Sequence, residues 1–262
     1  MTQARTQLNF KTAPGHQVLA AAGKKALRPG GYAATEQLFA WANFQPGETV
    51  LELAASFGYS AIALAQRYGV RVVGVEKNPE SVIRAQASIA TAELTQEVQI
   101  IQGDIFHLEQ ISEQFDYVLA EAILTMQSDV GKAKILTGIC DRLKPGGQFL
   151  SHELRVEGMN TDAIHRDLST AIRVNAAPLS RESWIKTVQQ TGMTVEHDDI
   201  GPMTLLSPGR IAQEEGVPTL LTIAWNMLTR PDLRQRILSM RETFVRHGSN
   251  LGYVVLTARK GN

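Results

Sequence analysis

In the stretch VLELAASFGYS, residues 50–60, an apolar run carries one acid, Glu52, and then gives way to small residues at alternate positions, Ala54, Ser56 and Gly58. In open α/β sheets ligands bind outside the carboxyl ends of the strands, and small residues there let a ligand approach the backbone. A pyrophosphate pressed onto a helix N-terminus asks for the full G-x-G-x-x-G, which this stretch does not contain. A nucleoside joined by an uncharged linkage to an amino acid needs the space without the phosphate cradle. Ala54 and Ser56 suit such a ligand better. Further acids end later apolar runs: Glu76 in GVEKNP, Asp104 in QGDIF and Glu121 in FDYVLAEAIL. A carboxylate held rigidly at a strand end accepts hydrogen bonds from two vicinal hydroxyls. His152, beside Glu153 at the end of QFLSHEL, is of the type that serves as a general base.

These residues need elements to hold them, and the chain alternates between two patterns. Short runs rich in β-branched residues and leucine occupy 48–54, 70–76, 97–104, 115–122 and 148–154. Between them lie segments with apolar residues at helical spacing, 58–68, 79–94 and 129–143, and Asn78-Pro79 is a good helix start. Continuous apolar strands alternating with helices imply a doubly wound, mostly parallel sheet covered on both faces. The tail departs from that rhythm. A helix is expected at 181–192, a strand at 193–200, helical segments over 158–177 and 207–248, and a last strand at 250–260.

Composition narrows the classes. Lys+Arg and Asp+Glu balance at 26 each, which argues against a nucleic-acid or anionic-membrane partner. The single cysteine, Cys140, cannot form an intrachain disulfide and suits a reducing compartment. No two histidines stand at a metal-binding spacing, so no metal is expected. The N-terminal MTQARTQLNFK lacks the apolar core of a signal peptide, and 217–228 is too short to span a bilayer. A cytoplasmic protein is the expectation.

Five of these elements, in order, resemble the class I S-adenosylmethionine-dependent methyltransferases, over about residues 25–155 and the final strand. The family's first motif, acid-x-Gly-x-Gly-x-Gly, falls on Glu52, Ala54, Ser56 and Gly58. The resemblance makes Glu76, with Lys77 beside it, the acid for the ribose hydroxyls, and Asp104 with Ile105 the adenine contacts. Ala120 and Glu121, ending the fourth strand, would meet the methionine part of the cofactor, and LKPGGQFL matches the turn before the fifth strand. LRPGGYAATEQLF, 27–39, is similar to the glycine-pair segment of small-molecule methyltransferases of the phosphobase type. By that likeness Leu27 and Arg28, ahead of Gly30-Gly31, touch the cofactor. The same enzymes carry a histidine where this chain has Thr125, which speaks against a phosphobase acceptor. The missing cysteine cluster speaks against arsenite.

The fold expected is thus a seven-stranded Rossmann-like methyltransferase sheet whose last strand is antiparallel, with helical additions. Residues 1–46 would form a helical cap, 47–157 the cofactor-binding core, 158–180 a helical insertion, 181–206 more core, 207–248 a helical lid and 249–262 the final strand. The activity implied is methyl transfer from S-adenosylmethionine to an O, N or C nucleophile of a small-molecule acceptor, leaving S-adenosylhomocysteine. Glu121 and His152 are the candidate catalytic residues. The alternative is a non-catalytic S-adenosylmethionine-binding or regulatory protein of the same fold. A nicotinamide dehydrogenase is disfavoured by the missing glycines. The apolar stripe of 207–248, with Trp225, is expected either over the mouth of the site, lining the acceptor pocket, or in a homodimer interface.

Overall fold

The computed structural model describes residues 8–261; residues 1–7 of the cap segment and Asn262 of the last lie outside it. Among the described residues seven strands form one sheet: β1 (Thr49–Leu53), β2 (Arg71–Glu76), β3 (Val98–Gln102), β4 (Phe115–Glu121), β5 (Leu143–Val156), β6 (Met193–Pro202) and β7 (Leu251–Lys260). Their order is β3-β2-β1-β4-β5-β7-β6, with β1 to β5 parallel and β7 antiparallel to both β5 and β6. The strand order reverses beside β1, between β1 and β4, which is where a doubly wound sheet opens its ligand crevice.

Alternation along each strand divides the core. Val50, Val72 and Leu119 face one side, where α2 (Gly31–Ala42), α3 (Tyr59–Tyr68) and α4 (Pro79–Thr91) pack. Leu51, Val73 and Val118 face the other, against α5 (Asp129–Arg142) and α7 (Arg181–Gln189). A third apolar cluster lies beyond the strand ends. It joins α1 (Gly15–Ala22), α6 (Thr161–Ile172), α8 (Pro208–Glu215), α9 (Val217–Thr229) and α10 (Pro231–Arg246). Buried Arg236 of α10 ties this layer down by donating to the carbonyls of Phe10, Ala13 and Ala171. Among the described residues no helix is long and apolar enough to cross a membrane.

Helix α2 begins at Gly31, where Glu214 of α8 accepts the otherwise unpaired amides of Tyr32 (2.9 Å) and Ala33 (3.4 Å). Two local expectations change. The fifth strand runs on to Val156, so His152 and Glu153 lie within it rather than at its end. It also starts before the KPGG turn: Leu143 pairs with Phe115, residues 144–147 loop out, and pairing resumes at Gln148 opposite Tyr117.

Candidate functional site

The loop from β1 to α3 keeps the geometry of a glycine-rich turn without its glycines. Ala54, Ser56 and Gly58 all adopt left-handed backbone, with φ of 53°, 50° and 76°. For alanine and serine that region is strained. Ala122, just past β4, is left-handed as well, at 55°. Strained small residues therefore gather at the two strand ends that flank the crevice.

Glu76 organises the loop from the next strand. Its two oxygens accept the amides of Ser56 (2.9 Å) and Asn78 (2.8 Å), and each keeps a lone pair for a further donor. Asn78 caps α4 in turn through the amides of Glu80 and Ser81, with Pro79 in the first turn. Asp104 accepts the amide of Phe106 (3.1 Å) and pairs with Lys77 at 2.8 Å, which joins the acid expected at the adenine to the lysine expected beside the ribose acid. That lysine holds the Asp104 carboxyl below its usual range. Ile105 follows directly, half-buried.

Between β1, β4 and β5 lies a buried polar cluster built around Arg28. Its guanidinium donates to the hydroxyls of Thr35 (3.2 Å) and Ser60 and stands 2.9 Å from Oε2 of Glu121. Thr35 donates to Oε1 of Glu121 at 2.5 Å. Burial acts to raise the Glu121 carboxyl, but Arg28, His152 and Thr35 outweigh it and hold it below the ordinary value. Glu52 has weaker support. Burial and then the Glu121 charge push it up to about 8, against Arg28, the Ser60 hydroxyl and the Ala61 amide. Oε2 of Glu52 is buried with no hydrogen-bond partner, and Oε2 of Glu121 has no aligned donor despite the nearby arginine. Buried carboxyl oxygens left open in this way suit a further hydrogen-bond donor, and the ionised Glu121 suits a cationic one.

His152 is fully buried. Its Nε2 accepts the Gly30 amide at 3.0 Å, which assigns the ring proton to Nδ1, facing Thr35 (3.4 Å) and Glu121 (3.5 Å). Burial lowers its pKa, with Glu121 pulling the other way. Both ring nitrogens are thus engaged inside the protein, and neither faces the crevice as an open base. Glycine is required at the pair that His152 holds: a Cβ on Gly30 would stand 2.7 Å from the Tyr253 ring, and Gly31 has φ of +67°. Leu27, half-buried, precedes them and lines the cavity described next. Ala120 is buried in β4, its side chain in the sheet core.

Thr125 is fully buried, and its hydroxyl donates to Glu153 (2.6 Å) and accepts the Leu154 amide (3.1 Å). Glu153 also accepts the amides of Ile123, Leu124 and Thr125, fixing the turn after β4. Burial nevertheless raises its carboxyl to about 7.

Beside that turn opens an apolar cavity of about 70 Å³, lined by Ala122 and Met126, by Leu168 of α6, by Met240 and Phe244 of α10, and by His16 of α1. Sequence reasoning missed His16, Thr35 and Ser60. A lone histidine in a short helix carries no motif, whereas Ser60 stands only two residues past the matched glycine. The cavity divides the expectation for 207–248 between its helices. Of its apolar stripe, Ile223 is buried and Leu220 and Met227 half-buried, but Leu221 and Leu228 are exposed, as is Trp225 at 67%. The cavity is closed by α10, while α9 lies on its outer side against α1, where Asn226 donates to the Ala22 carbonyl.

With this geometry in hand, the likenesses to known proteins are consistent with one another. A family model described as a methyltransferase domain matches residues 44–201. An uncharacterized protein of Haemophilus influenzae is 32% identical over 94% of this chain and 98% of its own length. A solved S-adenosylmethionine-dependent methyltransferase of Geobacter sulfurreducens, in complex with S-adenosyl-L-homocysteine, superposes with a TM-score of 0.70 at 16% identity, covering 92% of this chain and 97% of that one. The phosphoethanolamine N-methyltransferase 2 of Haemonchus contortus, in complex with S-adenosyl-L-methionine, gives 0.73 at 17% identity over 98% of this chain and 59% of that one.

Proposed function

The chain belongs to the class I S-adenosylmethionine-dependent methyltransferase family, and on that premise we propose that it methylates a small-molecule acceptor. One observation carries the acceptor class. The space next to Ala122 is a recessed, apolar cavity of about 70 Å³ behind α1, α6 and α10, which favours a compact apolar acceptor group over a charged side chain or a nucleobase. The phosphobase type is disfavoured, because Thr125 is occupied by Glu153 and the cavity lining offers no cation for a phosphate.

The residues at the strand ends fit S-adenosylmethionine. In this reading Glu76 holds the ribose hydroxyls, Asp104 and Ile105 the adenine, and Lys77 steadies Asp104. Ala54, Ser56 and Gly58 keep the floor of the crevice low. The open oxygens of Glu52 and Glu121 take the ammonium of the amino-acid part, and Arg28 and Leu27 cover it. The bound sulfonium supplies an already activated methyl group. The protein's task is then to align the acceptor and exclude water. His152 acts here as a positioning residue: it holds the Gly30 amide and orients Glu121, and Glu121 serves binding rather than proton transfer.

Isothermal calorimetry with S-adenosylhomocysteine tests this reading, with NAD as the competitor. Micromolar binding of the sulfur compound is expected. Glu76→Ala should weaken it by about 1.5–3 kcal/mol, the usual loss for charge-assisted hydrogen bonds. Binding of NAD with silence toward S-adenosylhomocysteine would refute the assignment. Methyl transfer to a metabolite panel separates an enzyme from a non-catalytic binder.

A further inference from the structure

The cavity beside Ala122 has a chemical character that narrows the acceptor further. Among the described residues its lining carries no Asp, Glu, Lys or Arg. An unpaired charge brought into such a place costs several kcal/mol, so a cationic amine or a carboxylate has nothing to meet it. Three methionines, Met126, Met203 and Met240, face the space. Methionine side chains adapt to irregular shapes. That matters because about 70 Å³ is smaller than the roughly 150 Å³ that holds benzene. A compact group enters directly, and a ring enters as the methionines give way.

Among the described residues the one titratable side chain in the lining is His16, and Glu76 is the charged group that acts on it. His16 is exposed as a residue, while the protein packed around its ring lowers its pKa, with Glu76 opposing. A neutral imidazole offers one acceptor and one donor nitrogen. It is thus suited to an uncharged hydroxyl and poorly suited to a cation.

Resting on the methyltransferase reading above, we infer that the cavity takes the apolar body of an uncharged hydroxyl compound and that His16 hydrogen-bonds its hydroxyl. This makes the acceptor a neutral alcohol or phenol with a compact apolar frame. His16 contacts the acceptor itself, and α1 carries specificity from outside the sheet core.

Protein labelled with ¹³C at the methionine methyls reports on the cavity without turnover. Phenol is the probe, toluene lacks the hydroxyl, and benzoate and benzylamine carry opposite charges. Phenol and toluene should move the signals of Met126, Met203 and Met240 and leave fully exposed Met159 unmoved. Benzoate and benzylamine should leave all four in place at equal concentration. His16→Phe should weaken phenol about three- to ten-fold, the worth of one hydrogen bond, and change toluene less than about two-fold. His16→Asn, which retains a donor and an acceptor, should keep phenol within about two-fold of the wild type. Leu205→Phe, which fills the space from the loop after β6, should abolish the phenol response while its melting temperature confirms the fold. A charged probe binding as well as phenol overturns the inference, as does an equal effect of His16→Phe on phenol and toluene. S-adenosylhomocysteine calorimetry on the same samples keeps the two claims apart. Normal binding with silent methionines sinks the cavity assignment alone, and responsive methionines without that binding sink the cofactor reading.

Discussion

Ser56 offers a direct test of the loop geometry, because it stands where the family motif has glycine and adopts glycine's backbone. A left-handed L-residue costs about 1–2 kcal/mol relative to the right-handed form. Replacement by glycine relieves that strain but gives the unfolded chain more freedom, which costs about 0.4–1 kcal/mol. The Ser56 side chain is exposed and makes no hydrogen bond of its own among the described residues, so little else is lost. The net expectation for Ser56→Gly is a gain of about 0.5–1 kcal/mol. Ala54→Gly should be close to neutral, since the half-buried methyl it removes is worth up to about 0.8 kcal/mol. Ser56→Val should cost more than about 1 kcal/mol, because a β-branched residue is least tolerant of positive φ. Urea unfolding measures all three, and for a chain of this size the glycine variant should melt about 1–4 °C higher. The amide of residue 56 still reaches Glu76 in each variant, so S-adenosylhomocysteine affinity should change less than about three-fold. If Ser56→Gly destabilised the protein while Ser56→Val did not, the strained-loop reasoning would be refuted.

Three further outcomes follow from the buried carboxylates and from α9. With Glu52 raised from 4.5 to about 8, the folded state holds a proton that the unfolded chain has released, so stability falls as pH rises through that window. The slope is at most about 1.4 kcal/mol per pH unit. Glu52→Gln should flatten the urea-derived stability profile between pH 4.5 and about 8, and because Glu153 titrates in both proteins the difference between the two profiles isolates Glu52; parallel profiles would contradict the assignment. Glu121→Gln leaves Arg28 without a fully charged partner and should cost about 1–3 kcal/mol of stability together with S-adenosylhomocysteine affinity. If calorimetry and unfolding both match the wild type, Glu121 is a bystander. Trp225→Ala should shift stability by less than about 0.5 kcal/mol and leave phenol binding unaltered, since the ring points to solvent. A change in phenol affinity would return α9 to the mouth of the site.

The sequence carried the sheet and the cofactor side of the site because both are local in origin. Uninterrupted apolar runs such as 70–76 can only be strands buried on both faces, and an acid that ends such a run must emerge at a carboxyl edge. Glu52, Glu76, Asp104 and Glu121 were therefore readable with their strands, and the αL positions at Ala54 and Ser56 coincide with the motif's glycines. What only the tertiary structure decided depends on partners distant in sequence. His152 has the type of a base, but a buried ring between the Gly30 amide and Glu121 is spoken for, and residues 122 positions apart set that. The start of α2 at Gly31 is capped from another helix, by Glu214. The apolar residues of α9 announced a buried face without saying which, and packing of α1 against it turned Trp225 outward. His16 reaches the cavity only because Arg236 and the α10 layer hold α1 over the strand ends, a placement encoded in no window of sequence around it.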